Sequence, residues 1–178
     1  MPDIETARLQ LQQLVADDAE FILRLTNSAG WLRFIGDRGV HTLQDALGYI
    51  EAGPQAMFAA HGHGLWRVNR RGDPTAIGLC GLIRRDSLPA PDLGFALLPE
   101  HCGQGYAVEA AQACVAHARE VLRWPQLLAI LQADNAGSMR LLKKLGFEIV
   151  ATATDDTTEA IPLLRMQLDL QPERATLA

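Results

Sequence analysis

The chain has 178 residues, the length of one ordinary domain, and its 48% hydrophobic against 21% charged residues exclude a disordered or fibrous chain. A formal net charge of −5 weighs against nucleic acid or an anionic membrane as the main partner. Three widely spaced cysteines, Cys80, Cys102 and Cys114, form no C-x-x-C pair, so neither a zinc knuckle nor a disulfide framework is expected.

Free thiols suit a reducing compartment. Met1 to Gln10 holds no apolar core of signal-peptide length, and the apolar run Leu127 to Leu131 is far short of a membrane span. The expectation is a cytoplasmic protein of one domain, residues 1–178 with its core at about 6–170, acting without membrane, nucleic acid or metal, as a monomer or homodimer.

In chain order, Arg8 to Gln13 alternates, with Leu9 and Leu11 on one face, and reads as a first strand. Asp17 and Asp18 open a helix to about Asn27, which Gly30 is expected to stop. Trp31 to Val40 reads as an aromatic-containing connection, and Thr42 caps a second helix carrying Leu43, Ala46, Leu47 and Ile50. Leu65–Asn69, Thr75–Arg85 and Asp92–Leu98 then form an antiparallel meander broken at Arg71-Gly72-Asp73-Pro74 and at Ser87 to Pro91.

Gly105 to Arg123 is a long helix with Val108, Ala111, Val115, Ala118 and Leu122 on one face. Pro125 ends it, and Leu127 to Leu131 reads as a strand buried on both faces. Asn135 opens a short helix bearing Ser138, Leu141, Leu142 and Leu145, stopped by a left-handed Gly146. Strands at Phe147–Thr154 and Ile161–Leu170 close the chain. The fold class is therefore α+β, with about seven strands and four helices. The crossover rule makes the strands at Asp92 and Leu127 parallel neighbours.

The stretch richest in chemistry is His101-Cys102-Gly103-Gln104-Gly105-Tyr106-Ala107-Val108-Glu109-Ala110, between a strand and a long helix. Glycines there permit a tight turn, and free N–H groups at a helix start suit a pyrophosphate. A dinucleotide fingerprint would need glycine at Val108, and a P-loop would need Gly-Lys-Ser/Thr; neither is present.

This loop, followed by Glu109-Ala110, resembles the coenzyme A loop of the GNAT acetyltransferases, above all the RimJ/RimL-type subgroup, which acetylates protein N-termini and small amines. Three further stretches resemble that subgroup in the same order. They are Thr6-Ala7-Arg8-Leu9, Asp92-Leu93-Gly94-Phe95, and Asn135-Ala-Gly-Ser138 with Leu145-Gly146-Phe147. The resemblance covers about Thr6 to Leu170. It departs at Cys102, where the superfamily often has Gln or Arg, and at Leu141, where many members have a tyrosine that serves the leaving thiolate.

The resemblance implies a GNAT fold with a splayed parallel strand pair, acetyl-CoA as co-substrate, and transfer to a primary amine by direct attack in a ternary complex. A non-catalytic acetyl-CoA-binding sensor is the alternative. It places the pantetheine arm along Phe95, Ala96 and Leu97 and near Asn135, and the pyrophosphate on the amides of Gly103, Gln104, Gly105, Tyr106, Ala107 and Val108. Arg140 and Lys143 face the region where a 3′-phosphate often lies. Ser138 becomes the candidate acid, or only a helix-entry residue. Asp92 is a candidate base, beside Asp155, Asp156, Glu159 or water. Trp31, Phe34 and Asp37, with Arg38, border the acceptor groove, although the first two are equally suited to a core. Glu109 reads as structural, because a helix start favours an acid.

Overall fold

The computed structural model describes residues 3–153 and 163–171. Strand β1 is a two-residue piece, Ile4–Glu5, paired antiparallel with β2, Leu9–Gln13, whose alternation buries Leu9 and Leu11 completely. A 3₁₀ turn at Ala16–Asp18 leads into α1, Ala19–Thr26, which buries Ile22 and Leu25.

Gly30 does not stop that helix. The chain leaves it at Asn27 and starts again as α2, Ala29–Phe34, because the Ser28 side chain accepts the Trp31 N–H as an N-cap. Trp31 and Phe34 therefore lie on a short helix rather than in a connection. Next, α3, Leu43–Ile50, opens with a capping box between Thr42 and Asp45. It runs through a π turn at Glu51–Gln55 around Pro54 into α4, Ala56–His61. A proline inside a helix removes a donor, and the wider turn absorbs that loss.

The remaining strands are β3, Leu65–Arg70; β4, Ala76–Ile83; β5, Asp92–Leu97; β6, Gln126–Gln132; β7, Glu148–Ala153; and β8, Leu163–Asp169. Helix α5 is Tyr106–Glu120, and α6 is Ala136–Lys144. Among the described residues, one mixed sheet has the order β1-β2-β3-β4-β5-β6-β8-β7, eight strands rather than the seven expected, the short β1 being the addition. All neighbours are antiparallel except β5 and β6.

Side chains of opposite parity feed two layers. Leu93 of β5 and Leu127, Ala129 and Leu131 of β6 join the core under α5, together with Leu9, Leu11, Trp66, Val68 and Cys80. Leu79 and Ala96 face the other layer, where α1, α2 and α3 supply Ile22, Leu25, Trp31, Ala46 and Ile50. Helix α5 presses alanines on the sheet: Ala110, Ala111 and Ala118 are fully buried, and Cys114 Sγ lies 3.6 Å from Cys80 Sγ. Small side chains let the helix axis approach closely, so a bulkier residue at Ala111 should cost about 1–3 kcal/mol in overpacking. Arg67 on β3 is half-buried and donates to Asp18 and Gln12.

Candidate active site

Strands β5 and β6 share one paired position, Asp92 with Leu128, next to which the Leu128 N–H donates to the Pro91 carbonyl at 2.9 Å. Beyond it both strands run on, β5 to Leu97 and β6 to Gln132, without pairing to each other. The sheet is thus open between the C-terminal ends of two parallel strands. Phe95, Ala96 and Leu97 keep their β4 partners Cys80, Leu79 and Gly78 on one edge, while their other edge faces the opening. Leucine and phenylalanine side chains there are only partly buried.

The opening is flanked by two helix starts. On the β5 side, Pro99–His101 makes a 3₁₀ turn, and Gly103 and Gly105 follow with φ of +77° and +81°. Only glycine adopts such angles without strain. Gly105 is the N-cap of α5 and offers no side chain to its free amides. Among the described residues, the N–H groups of Gly103, Gln104, Gly105, Tyr106, Ala107 and Val108 have no protein acceptor. Space is open where a Cβ on Gly103 would sit. Successive partnerless amides at a helix start, in an exposed loop, fit an anionic pyrophosphate.

Glu109, three residues into α5, faces away from this task. Its Oε1 accepts from the Thr6 hydroxyl at 2.6 Å and the Arg8 amide at 2.8 Å, and its Oε2 accepts from Arg8 Nε at 2.6 Å. Burial raises its pKa, but the bonds from Thr6 and Arg8 outweigh that and hold it below the ordinary value. The carboxylate therefore stays charged and clasps α5 to the start of β2.

On the β6 side, Asn135 caps α6 by accepting the Ser138 N–H at 3.0 Å on Oδ1. Ser138 is half-buried, and its hydroxyl has no partner among the described residues. It shares a face with Leu141, Leu142 and Leu145, which pack in the core, so Leu141 is a core residue. Arg140, Lys143 and Lys144 are exposed, the two lysines in the last turn of α6, where cations suit the helix dipole. Gln132, at the end of β6, has a buried Oε1 with no partner among the described residues.

The structure separates Asp92 from these groups. It lies at the closed end of the strand pair, almost fully buried, and accepts from Arg85 Nε at 2.9 Å. Burial raises its pKa, with the Arg85 guanidinium pulling the other way. Ala96 is four residues further along, about 13 Å at the rise of an extended strand. Asp155, Asp156 and Glu159 lie outside the described residues; Ala153 and Leu163, which bracket them, pair with each other, and Leu163 also pairs with Gln132.

Helix α2 reaches the opening through Arg33, which pairs with Asp134 at 3.2 Å, one residue before the Asn135 cap. Trp31 is buried in the helical layer, edge-on to Tyr49, and its indole N–H has no partner among the described residues. Phe34 is half-buried under the Arg33 guanidinium. Asp37 is exposed and bonds the Gly39 amide and His41. Cys102 is exposed, but burial of its sulfur and nearby Glu100 push its pKa up, which leaves little thiolate for covalent chemistry. No cluster of three or more metal-ligating side chains occurs among the described residues. His61 and His63 stack at 5.7 Å, and His63 Nδ1 bonds the Leu82 carbonyl.

A parallel strand pair opening toward a glycine-cornered helix start is the arrangement of an acyl-coenzyme A-binding transferase. The family of acetyltransferase (GNAT) domains matches residues 8–148, and the chain belongs to it, as a RimJ/RimL-type GNAT acetyltransferase. Members of the family use acetyl-CoA. The chain is 28% identical, over 148 residues, to the uncharacterized N-acetyltransferase YoaA of Bacillus subtilis, covering 83% of each. The crystal structure of an acetyltransferase from Agrobacterium tumefaciens str. C58 superposes with a TM-score of 0.80 at 26% identity, covering 94% of both chains. The ribosomal-protein-S5-alanine acetyltransferase of Vibrio fischeri shares the fold, with a TM-score of 0.79 at 16% identity over 97% of this chain and 100% of that one.

Proposed function

We propose that this N-acetyltransferase transfers the acetyl group to a primary amine, a protein N-terminus or a small amine, by direct attack in a ternary complex. The observation that carries the reading is the opening between β5 and β6 with partnerless amides at one lip and the Asn135–Ser138 turn at the other. When bound, acetyl-CoA supplies the thioester carbonyl and its sulfur as leaving group.

The chain's own residues then position and move protons. The amides of Gly103 to Val108 hold the pyrophosphate, and the free edge of β5 at Phe95, Ala96 and Leu97 guides the pantetheine arm. Holding an amine against a thioester supplies much of the acceleration, since no protein nucleophile is required. Ser138, with a free hydroxyl at the start of α6, gives a proton to the departing sulfur. Asn135 has its Oδ1 committed to the cap, leaving its Nδ2 for the pantetheine arm.

The amine loses its proton to water in this reading. Asp92 is tied to Arg85 at the closed end and serves the strand junction instead. Phe34 and Asp37 border the acceptor side because the Arg33–Asp134 pair brings α2 to the opening; Trp31 supports them from the core. The Vibrio fischeri relative acts on a ribosomal-protein alanine, which keeps a protein N-terminus beside small amines as the acceptor class.

The test is a panel of peptides with free N-termini, polyamines, amino acids and aminoglycosides, incubated with acetyl-CoA while free thiol is measured. Thiol release that requires a primary amine, with no acetyl-enzyme by mass, is expected. Release that needs no amine, or an acetyl-enzyme formed at turnover rates, would overturn the direct-attack reading.

A further inference from the structure

Arg8 is 96 positions before Gln104, yet its guanidinium is built into the wall of the glycine loop. Nη1 donates to the Gln104 carbonyl at 3.1 Å, Nε donates to Glu109 Oε2 at 2.6 Å, and the group lies over the Tyr106 ring at 4.7 Å. Three contacts from three consecutive parts of the α5 entry fix a side chain that would otherwise be free in the bend before β2. A guanidinium held this way loses little further freedom when it binds an anion.

Its remaining corner is Nη2. That atom has no acceptor among the described residues, and it lies 3.3 Å from the point a Cβ on Gly105 would occupy. Gly105 is the residue whose amide begins the helix start. The uncommitted donor is therefore beside the partnerless amides, not at the rim of the molecule. The neighbouring cations are otherwise engaged: Arg70 with Asp73, and Arg71 with Glu5 and the Thr6 carbonyl.

We propose that Arg8 is a coenzyme-binding residue, its Nη2 donating to the pyrophosphate of the bound coenzyme while Glu109, Gln104 and Tyr106 hold the guanidinium in place. The inference rests on the acetyl-CoA reading of the loop and extends it to a residue between the first two strands. Two functions meet in one clasp: Glu109 ties α5 to β2 through Thr6 and the Arg8 backbone, and the same tie aims the Arg8 side chain at the phosphates.

The experiment is calorimetric titration of wild type and Arg8→Met with coenzyme A and with dephospho-coenzyme A, beside turnover of S-acetylpantetheine, which carries no phosphate. Melting curves check that the variant is folded. A lost charge-assisted hydrogen bond predicts roughly tenfold weaker binding of both nucleotides. Turnover of S-acetylpantetheine should be unchanged. Unaltered affinity in the folded variant would overturn the proposal. So would an equal loss with S-acetylpantetheine, which is the mark of a purely structural role, or a loss confined to coenzyme A, which would assign Arg8 to the 3′-phosphate. Wild type that binds no coenzyme A would instead refute the functional reading itself. A second test needs no variant: Arg8, half-exposed, should be protected from an arginine-specific dicarbonyl reagent by coenzyme A but not by pantetheine, and equal labelling with and without coenzyme A would contradict the contact.

Discussion

Asn135 and Ser138 are joined through the Ser138 amide, which donates to Asn135 Oδ1 at 3.0 Å and leaves the serine hydroxyl unengaged. The cap thus uses the backbone of Ser138 and not its side chain. Ser138→Ala removes no capping bond, so its stability should change by about 1 kcal/mol or less. If the hydroxyl protonates the leaving sulfur, kcat should fall by about 10²-fold, the low end for general acids, because a thiolate is already a fair leaving group. Acetyl-CoA affinity should hold. Steady-state kinetics with chemistry shown to be rate-limiting separates the outcomes; an unimpaired kcat would assign the proton to water.

Asn135→Ala should behave differently. It removes the cap and leaves the Ser138 amide unpaired, a loss of about 1 kcal/mol in stability. Denaturant unfolding of the two variants side by side should show the larger drop for Asn135→Ala.

For Asp92→Asn, the account expects kcat/KM within about threefold of wild type and an unchanged pH profile, because proton transfer in solution does not route through a buried carboxylate. Burial raises the Asp92 pKa in the folded protein, so its ionisation opposes folding as pH rises from the unfolded value through the folded one. The substitution should therefore flatten stability across the interval between the unfolded and folded values. A lost acidic limb in kcat/KM would reinstate Asp92 as the base.

Two histidines give the protein an acid limit. His63 and His117 are buried, and burial lowers the pKa of both; His117 Nε2 has no partner among the described residues. Groups with depressed folded pKa values contribute stability that is complete above their unfolded value, about 6.5, and is lost as pH falls toward the folded ones. The melting temperature should be level above pH 7 and drop below about 6.5. His117→Phe, which keeps the edge contact with Trp66, should make that drop shallower; an identical slope would show that other groups control it.

The elements with strong local signals were legible in the sequence. Gln10 and Gln12 alternating with Leu9 and Leu11, Pro125 after a long alanine-rich helix, Asn135 before α6 and Gly146 at φ +90° after it are each set within a few residues. Helix α2 was not, because Gly30 is a poor helix former and only the Ser28 cap and the packing of Trp31 hold that turn. Strand β1 owes its existence to pairing with β2, and two residues carry no period. The candidate site was legible where it is contiguous, in the glycine-cornered helix start at Gly103 to Val108. The position of Asp92 at the paired end was not legible, for a physical reason: a sequence reveals that two strands neighbour each other, but not at which end they part. The Arg8–Glu109 clasp joins positions 101 apart, and no spacing rule connects them.

Gly105→Val addresses the loop directly. A β-branched residue at φ +81° is strained and would press toward Arg8 Nη2. Coenzyme affinity should fall at least tenfold in a variant that still folds with a lowered melting temperature. Circular dichroism and calorimetry on one sample provide the comparison, and unaltered affinity in a folded variant would remove the loop from the phosphate site.

The most direct test of the central claim, that the opening between β5 and β6 and the amides of Gly103 to Val108 form an acetyl-CoA site, is the melting temperature of wild type with and without acetyl-CoA. A ligand selective for the native state, at about a hundred times its Kd, adds about 2.7 kcal/mol. For a chain of this size that is on the order of 5–10 °C. Adenosine 3′,5′-bisphosphate, which lacks pantetheine, should give a much smaller shift. An unchanged melting temperature at millimolar acetyl-CoA would contradict the account.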